Sequence, residues 1–264
     1  MNEKVKEKLA ESLTADNSAI IPFLPYLLQD FWELGSSPED MLLTFRKHIP
    51  VNKNTKVLDL GCGKGAVSVQ LAKALGIRVK GVDILPQFIE YAKNKAQEYG
   101  VSHLCEFEVA DANVSVNTER NYDCVIFGAV GDILGDYKET IMKLLPIIKS
   151  GGFILIDDAY VLDQSANEQL KFERSYPTYD EWDMFFKELG LTLIECKSVS
   201  DDDCDIQDEC DSEKEMNWII MRANELIEKH PAHKSMFEQY IENQRNEYTD
   251  LRNDLIGATW LVQK

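Results

Sequence analysis

VLDLGCGKGAVSVQLA, residues Val57 to Ala72, decides how this chain is read. An apolar run carries one carboxylate, Asp59. It gives way to glycines at 61, 63 and 65 and then to a helical pattern. Glycine supplies tight turns and lets a ligand approach the backbone where a Cβ would block it. A glycine-rich passage from strand to helix also aims free N–H groups at whatever lies before the helix. Such a turn serves packing as readily as binding, so the residues around it must decide.

Working outward, strand and helix patterns alternate. KVLDL reads as a buried strand and KGAVSVQLAKAL as a helix. RVKGVDI, HLCEFEVADA, YDCVIFGA, GGFILIDDAY and LTLIECKSV read as further strands, with GATWLVQK closing the chain. LPQFIEYAKNKAQEYG, LGDYKETIMKLLPII and TYDEWDMFFKELG read as the intervening helices. This alternation implies βαβ units and an α/β fold: a doubly wound, Rossmann-like, mostly parallel seven-stranded sheet. Residues 1–50 read as an N-terminal helical cap segment. Within it, Ser37-Pro38-Glu39-Asp40 is a helix start, with a Ser cap, a first-turn Pro and carboxylates at the positive end. Residues 51–264 read as the main domain, with a helical insertion at about 200–255 before the last strand. In that insertion Ile219 and Leu226 belong to one apolar stripe, Phe237 and Tyr240 to another. His230-Pro231 separates the two.

Composition narrows the partners. Lys and Arg number 28 against 46 Asp and Glu, a net charge of −18. Such a surface repels phosphate backbones and anionic membranes, which argues against both as partners. The start of the chain lacks a signal-peptide core, and IIPFLPYLL is too short to span a bilayer, so a cytoplasmic protein is expected. Cys62, Cys105, Cys124, Cys196, Cys204 and Cys210 form no CxxC pair and are expected to be reduced thiols, with no metal site.

Three carboxylates sharpen the reading. Asp59 stands at the end of the first strand, Asp83 at the end of the second, and Asp111 at the end of the third. In a doubly wound sheet these ends share one edge beside the ligand crevice. Three carboxylates there would repel one another without a ligand that donates to them. Here the resemblance becomes specific. The glycine turn resembles motif I of the class I S-adenosylmethionine-dependent methyltransferases, in its small-molecule type. Asp83, Asp111-Ala112, YDCVIFGAV and LPIIKSGGFILIDD resemble the elements that follow, over roughly Lys56 to Asp158. The resemblance implies S-adenosylmethionine as cofactor and a small-molecule acceptor. It implies that Gly61, Cys62, Gly63 and Gly65 pass beneath the amino-acid end of the cofactor, with Asp59 near its ammonium. Asp83 would take the ribose hydroxyls. Asp111 would take the adenine amino group, with Ile84 and Ala112 flanking the ring. Phe127 and Gly128 would border the transferred methyl. A dinucleotide oxidoreductase also fits Asp83, but its third glycine falls on Ala66 and it does not explain Asp59. A binding protein that has kept the fold and lost turnover is a third reading.

Methyl transfer from a sulfonium mainly needs positioning, and a base only if the acceptor arrives protonated. The expected acceptor-side residues are Asp132 and Asp158, with Asp157 and Tyr160 beside them; each carboxylate could equally be a cap or turn former. Tyr26, Phe31, Trp32, Trp218, Phe237 and Tyr240 are candidates to line a lid, or to be core. DDDCDIQDECDSEKE, from Asp201 to Glu215, lacks the glycine and final glutamate of a calcium loop and reads as a solvated acidic loop. His230 and His233 lack a third ligand for zinc.

Overall fold

The structure is a computed structural model. It describes residues 1–171, 174–198 and 206–264, with the side chains of the last range described from 213 onward. The acidic run and Cys204 and Cys210 thus lie largely outside the described residues.

A seven-stranded sheet has the order β3-β2-β1-β4-β5-β7-β6. The strands are β1 (Lys56–Leu60), β2 (Arg78–Asp83), β3 (Cys105–Val109), β4 (Tyr122–Gly128), β5 (Ile148–Tyr160), β6 (Thr192–Ser198) and β7 (Ile256–Gln263). Neighbours from β3 to β5 pair in parallel. β7 closes on β5 in the opposite direction: Gly151 N–H donates to the Lys264 carbonyl and Lys264 N–H to that of Gly152. The start of β5 therefore meets the end of β7. The middle strands are near-continuously apolar because both faces are covered. In β1 every residue from Val57 to Leu60 is buried.

The helices of the chain are α1 (Glu3–Glu11), α2 (Leu24–Leu27), α3 (Pro38–His48), α4 (Ala66–Leu75), α5 (Pro86–Glu98), α6 (Ala112–Thr118), α7 (Tyr137–Leu144), α8 (Tyr179–Glu188), α9 (Ile206–Lys229) and α10 (Lys234–Asn253). The expected start of α3 is present: the Ser37 hydroxyl accepts the Asp40 N–H at 3.2 Å, with Pro38 in the first turn. The break at His230-Pro231 falls between α9 and α10, as the proline requires. The third strand is shorter than its pattern suggests. It stops at Val109, because Asp111 accepts the Asn113 N–H at 2.8 Å and caps α6, a helix the sequence pattern does not announce.

The chain divides into two compact units. One holds Trp32–Asp158, Asp180–Lys197 and Ala258–Lys264. Its core packs α3, α4 and α5 on the sheet through Met41, Phe45, Leu71, Ile89, Phe107 and Leu155. The other holds Met1–Phe31, Ala159–Tyr179 and Ser198–Gly257. Within it α9 is tied to the N-terminal segment by Arg222, whose guanidinium donates to Asp30 at 2.6 and 2.9 Å, and by Tyr26, which donates to Glu225. Phe23 packs edge-on against Phe237 of α10. The Asp250 carboxylate of α10 accepts the Lys171 N–H.

Candidate functional site

The strand order reverses between β1 and β4, and in such sheets ligands bind beyond the carboxyl ends of the strands at that point. The register places Asp59 beside Ile126 of β4, and Asp83 at the end of β2 beside Val109. A cavity opens there. Of the cofactor-binding residues expected from the sequence, Asp59, Gly61, Cys62, Gly63 and Gly128 line it. Trp32, a lid candidate from the sequence, forms a further wall together with Leu34 and Ser36, which the sequence did not reveal.

All three turn glycines have positive φ, at 75°, 51° and 74° for Gly61, Gly63 and Gly65. Their surroundings differ. A Cβ on Gly63 would meet Leu34 Cδ1 at 3.2 Å, and one on Gly61 would meet Val130 at 2.8 Å. A Cβ on Gly65 would meet Ala92 Cβ at 2.7 Å and the Phe107 ring at 3.0 Å. Gly65 thus serves the packing of α4 on its neighbours, while Gly61 and Gly63 belong to the cavity. At Gly128 a Cβ would strike Ser36 and Met41. The segment from Trp32 to Ser37 therefore crosses closely over the turn and the end of β4. Its anchors are the Trp32 Nε1–H donated to the Lys64 carbonyl at 3.2 Å and the Ser37 N–H donated to the Asp157 carboxylate. The Trp32 ring packs on Tyr99 with centroids 5.1 Å apart.

The carboxylates do not stand bare, as their clustering at one edge suggested. Asp59 is buried and accepts the Ser68 hydroxyl at 2.6 Å. Asp83 accepts the N–H of Gly63 at 3.0 Å and that of Leu85 at 2.8 Å. Asp111 accepts from Asn113, whose amide also donates to the Ile133 carbonyl at 3.0 Å. Desolvation pushes the Asp59 carboxyl up to about 7; the Ser68 hydrogen bond opposes this and the nearby Asp83 adds to it. Desolvation likewise lifts Asp83 to about 6, against the N–H groups of Leu85, Gly63 and Ile84. Burial holds the Cys62 thiol well above the usual thiol range, with Asp59 and Asp83 adding to the effect. An inert thiol results, since only the thiolate is nucleophilic.

Of the remaining expected residues, Ala112 opens α6 and Phe127 is buried in β4; Ile84 follows β2. Asp132 is exposed on a short 3-10 turn, Gly131–Leu134, which the Asn113 contact joins to the first turn of α6. Asp157 of β5 pairs in register with Gly128, the last residue of β4. Desolvation raises its carboxyl to about 7, opposed by Ser37 N–H and the Thr259 hydroxyl and supported by Asp158 and Asp40. Asp157 is thus a clasp for the covering segment, whereas Asp158 is the half-buried residue after it. Tyr160 packs its ring edge-on against Tyr179. Of the lid candidates, Trp32 lines the cavity. Phe237 and Tyr240 are core of the other unit, and Phe31 meets Trp218 there, edge to face. Among the described residues no group of three or more His, Cys, Asp or Glu is placed to hold a metal ion, and no helix is long and apolar enough to cross a membrane.

Known proteins resemble this chain in sequence or in fold. A family model described as a methyltransferase domain matches residues 51–220. Methyltransferase GfsG of Streptomyces halstedii is 25% identical over 177 residues, which cover 64% of each chain. Ajmaline N-methyltransferase of Rauvolfia serpentina is 29% identical over 120 residues, covering 46% of this chain and 41% of that one. The chain thus spans under two thirds of the length of these relatives. A SAM-dependent methyltransferase from Thiobacillus denitrificans, solved in complex with S-adenosyl-L-homocysteine, superposes with a TM-score of 0.73. That likeness covers 91% of this chain and 97% of the other at 20% identity.

Proposed function

The chain belongs to the methyltransferase-domain family, and from that premise we propose that it transfers the methyl group of S-adenosylmethionine to a small-molecule acceptor. The observation that carries this reading is the pairing of two carboxylates, Asp59 and Asp83, with one glycine turn at the switch point of the sheet. The fit is chemical. A cationic, diol-bearing ligand suits two desolvated carboxylates whose ionisation is costly until a donor arrives. The cavity lining at Gly61, Gly63 and Gly128 leaves no space for side chains. S-adenosylmethionine, when bound, supplies a methyl group already activated on a sulfonium.

The chain's own residues then bind, orient and exclude water. Asp59 and the Gly61–Cys62–Gly63 turn hold the amino-acid end, and Asp83 the ribose. Asp111, Ile84 and Ala112 hold the adenine, while Phe127 and Gly128 border the reacting end. Gly65 supports this set by seating α4. Trp32, Leu34 and Ser36 close one wall and keep water from the charged centre. Asp132 and Asp158 face the acceptor side, where a carboxylate can orient a donor group or take a proton from an acceptor that arrives protonated. The acidic surface and a relative named for a small-molecule acceptor, ajmaline N-methyltransferase, support a small-molecule acceptor over a nucleic-acid or membrane partner, and a cytoplasmic location belongs to the same proposal.

Calorimetric titration of S-adenosylhomocysteine, with NADH as control and Asp83→Ala alongside, tests this reading. Binding of the first ligand, weakened at least roughly tenfold in the variant, is expected. Binding of NADH instead, or of neither, would overturn it.

A further inference from the structure

Ser68 sits on α4 with no exposed surface, and its hydroxyl donates to Asp59 Oδ2 at 2.6 Å. A buried hydroxyl is costly unless bonded, and a serine inside a helix commonly bonds a carbonyl of its own preceding turn. This one reaches out of its helix to a strand end instead. The two residues on its N-terminal side, Ala66 and Val67, line the cavity with Asp59, whereas Ser68 lies behind the carboxylate. One carboxylate oxygen is therefore committed to the protein, which leaves the other to meet a ligand. We propose that Ser68 is a positioning residue for cofactor capture: its hydroxyl fixes the Asp59 carboxylate in one orientation and keeps it ionised to receive the cofactor's ammonium. The proposal rests on the cofactor reading above.

The electrostatics support the geometry. Lys64 lines the same cavity as Asp59, and the acidic groups that act on Asp59 or feel its charge are Asp83 from β2, the Cys62 thiol in the turn and the Cys124 thiol from β4. As anions all three would disfavour a charged Asp59. Against desolvation, the opposing interaction is the Ser68 hydrogen bond. A hydroxyl bonded to a carboxylate in a buried site belongs to the stronger class of hydrogen bonds.

The experiment is calorimetric binding of S-adenosylhomocysteine to the full chain, from about pH 6 to about pH 8.5, for the wild type, Ser68→Ala and Ser68→Thr. Wild-type affinity rises as Asp59 ionises. Ser68→Ala binds roughly tenfold more weakly near neutrality. Its pH midpoint moves up by about one unit, so that the deficit closes at the alkaline end. Ser68→Thr keeps the hydroxyl and returns the midpoint to the wild-type position. Two results overturn the proposal: an unchanged midpoint in Ser68→Ala, or an affinity loss equal at every pH, which is what a purely structural strand-to-helix tie would give. A wild type that binds no S-adenosylhomocysteine at any pH instead removes the cofactor reading, and Ser68's role with it.

Discussion

Gly65 and Gly76 bracket α4, both with left-handed backbone, at φ 74° and 66°. Replacing each by alanine separates backbone strain from steric conflict. An L-residue in this region costs about 1–2 kcal/mol, partly offset by about 0.4–1 kcal/mol because alanine restricts the unfolded chain. Gly76→Ala meets nothing within 4 Å, so it should lose only the balance, about 1 kcal/mol. Gly65→Ala carries the same strain and also drives a Cβ to 2.7 Å from Ala92 Cβ and 3.0 Å from Phe107 Cζ. Ala92 has no flexible end to move, and both residues are buried. Overpacking of this kind adds about 1–3 kcal/mol. Gly65→Ala should therefore lose about 2–4 kcal/mol in all. At roughly 2–4 °C per kcal/mol for a chain of this size, thermal unfolding followed by circular dichroism should fall by about 3 °C for Gly76→Ala and by about 9 °C for Gly65→Ala. Gly63→Ala gives the functional contrast. Its Cβ points at Leu34 in the cavity wall, 3.2 Å away, so S-adenosylhomocysteine binding should weaken more than in a folded Gly65→Ala. Equal midpoints for Gly65→Ala and Gly76→Ala would refute the assignment of Gly65 to packing.

Two further outcomes follow from the site. Asp59 near 7, Asp83 near 6 and Asp157 near 7 all lie above the usual carboxyl range. The folded chain therefore holds protons that the unfolded chain has released, and this contribution to stability is lost as pH rises from about 4 through about 7. The urea midpoint of the ligand-free protein should be higher at pH 6 than at pH 8, and Asp59→Asn should flatten the difference; a wild-type midpoint that rises over this window contradicts the assignment. Trp32→Ala removes a cavity wall and should raise the dissociation constant for S-adenosylhomocysteine several-fold, whereas Trp32→Phe, which loses only the bond to the Lys64 carbonyl, should change it less; equal effects would show that the indole N–H matters more than the ring.

The strands and most helices were legible because they are local. KVLDL coincides with β1, since a buried parallel strand must be apolar along its length. Ser37 and Pro38 announced α3 because capping chemistry is written in adjacent residues. ANVSVNT did not announce α6. Its Asn, Ser, Thr and Val are indifferent helix formers, and a helix that short takes its stability from the Asp111 cap and its surroundings. The strand-end aspartates were visible, but their partners were not. Ser68 is separated from Asp59 by the whole turn, and Gly63 N–H finds Asp83 only once β1 and β2 are in register.

The same limit explains why one sequence motif hides two jobs. Spacing and glycine identity report a need for positive φ, which all three turn glycines share. They cannot report what stands opposite each missing Cβ. For Gly65 it is Ala92 and Phe107, from α5 and β3. For Gly63 it is Leu34, from a segment whose own sequence, WELGSS, carries no periodicity to mark it. The wall made by that segment is fixed by its ends. Trp32 is held through its ring and indole N–H, and Ser37 through the Asp157 clasp. Asp157, which the sequence places among the acceptor-side residues, thus shapes the cavity from behind, beside the end of β4. That leaves Asp158 and Asp132, outside the clasp, as the carboxylates on which an acceptor-side role can be tested.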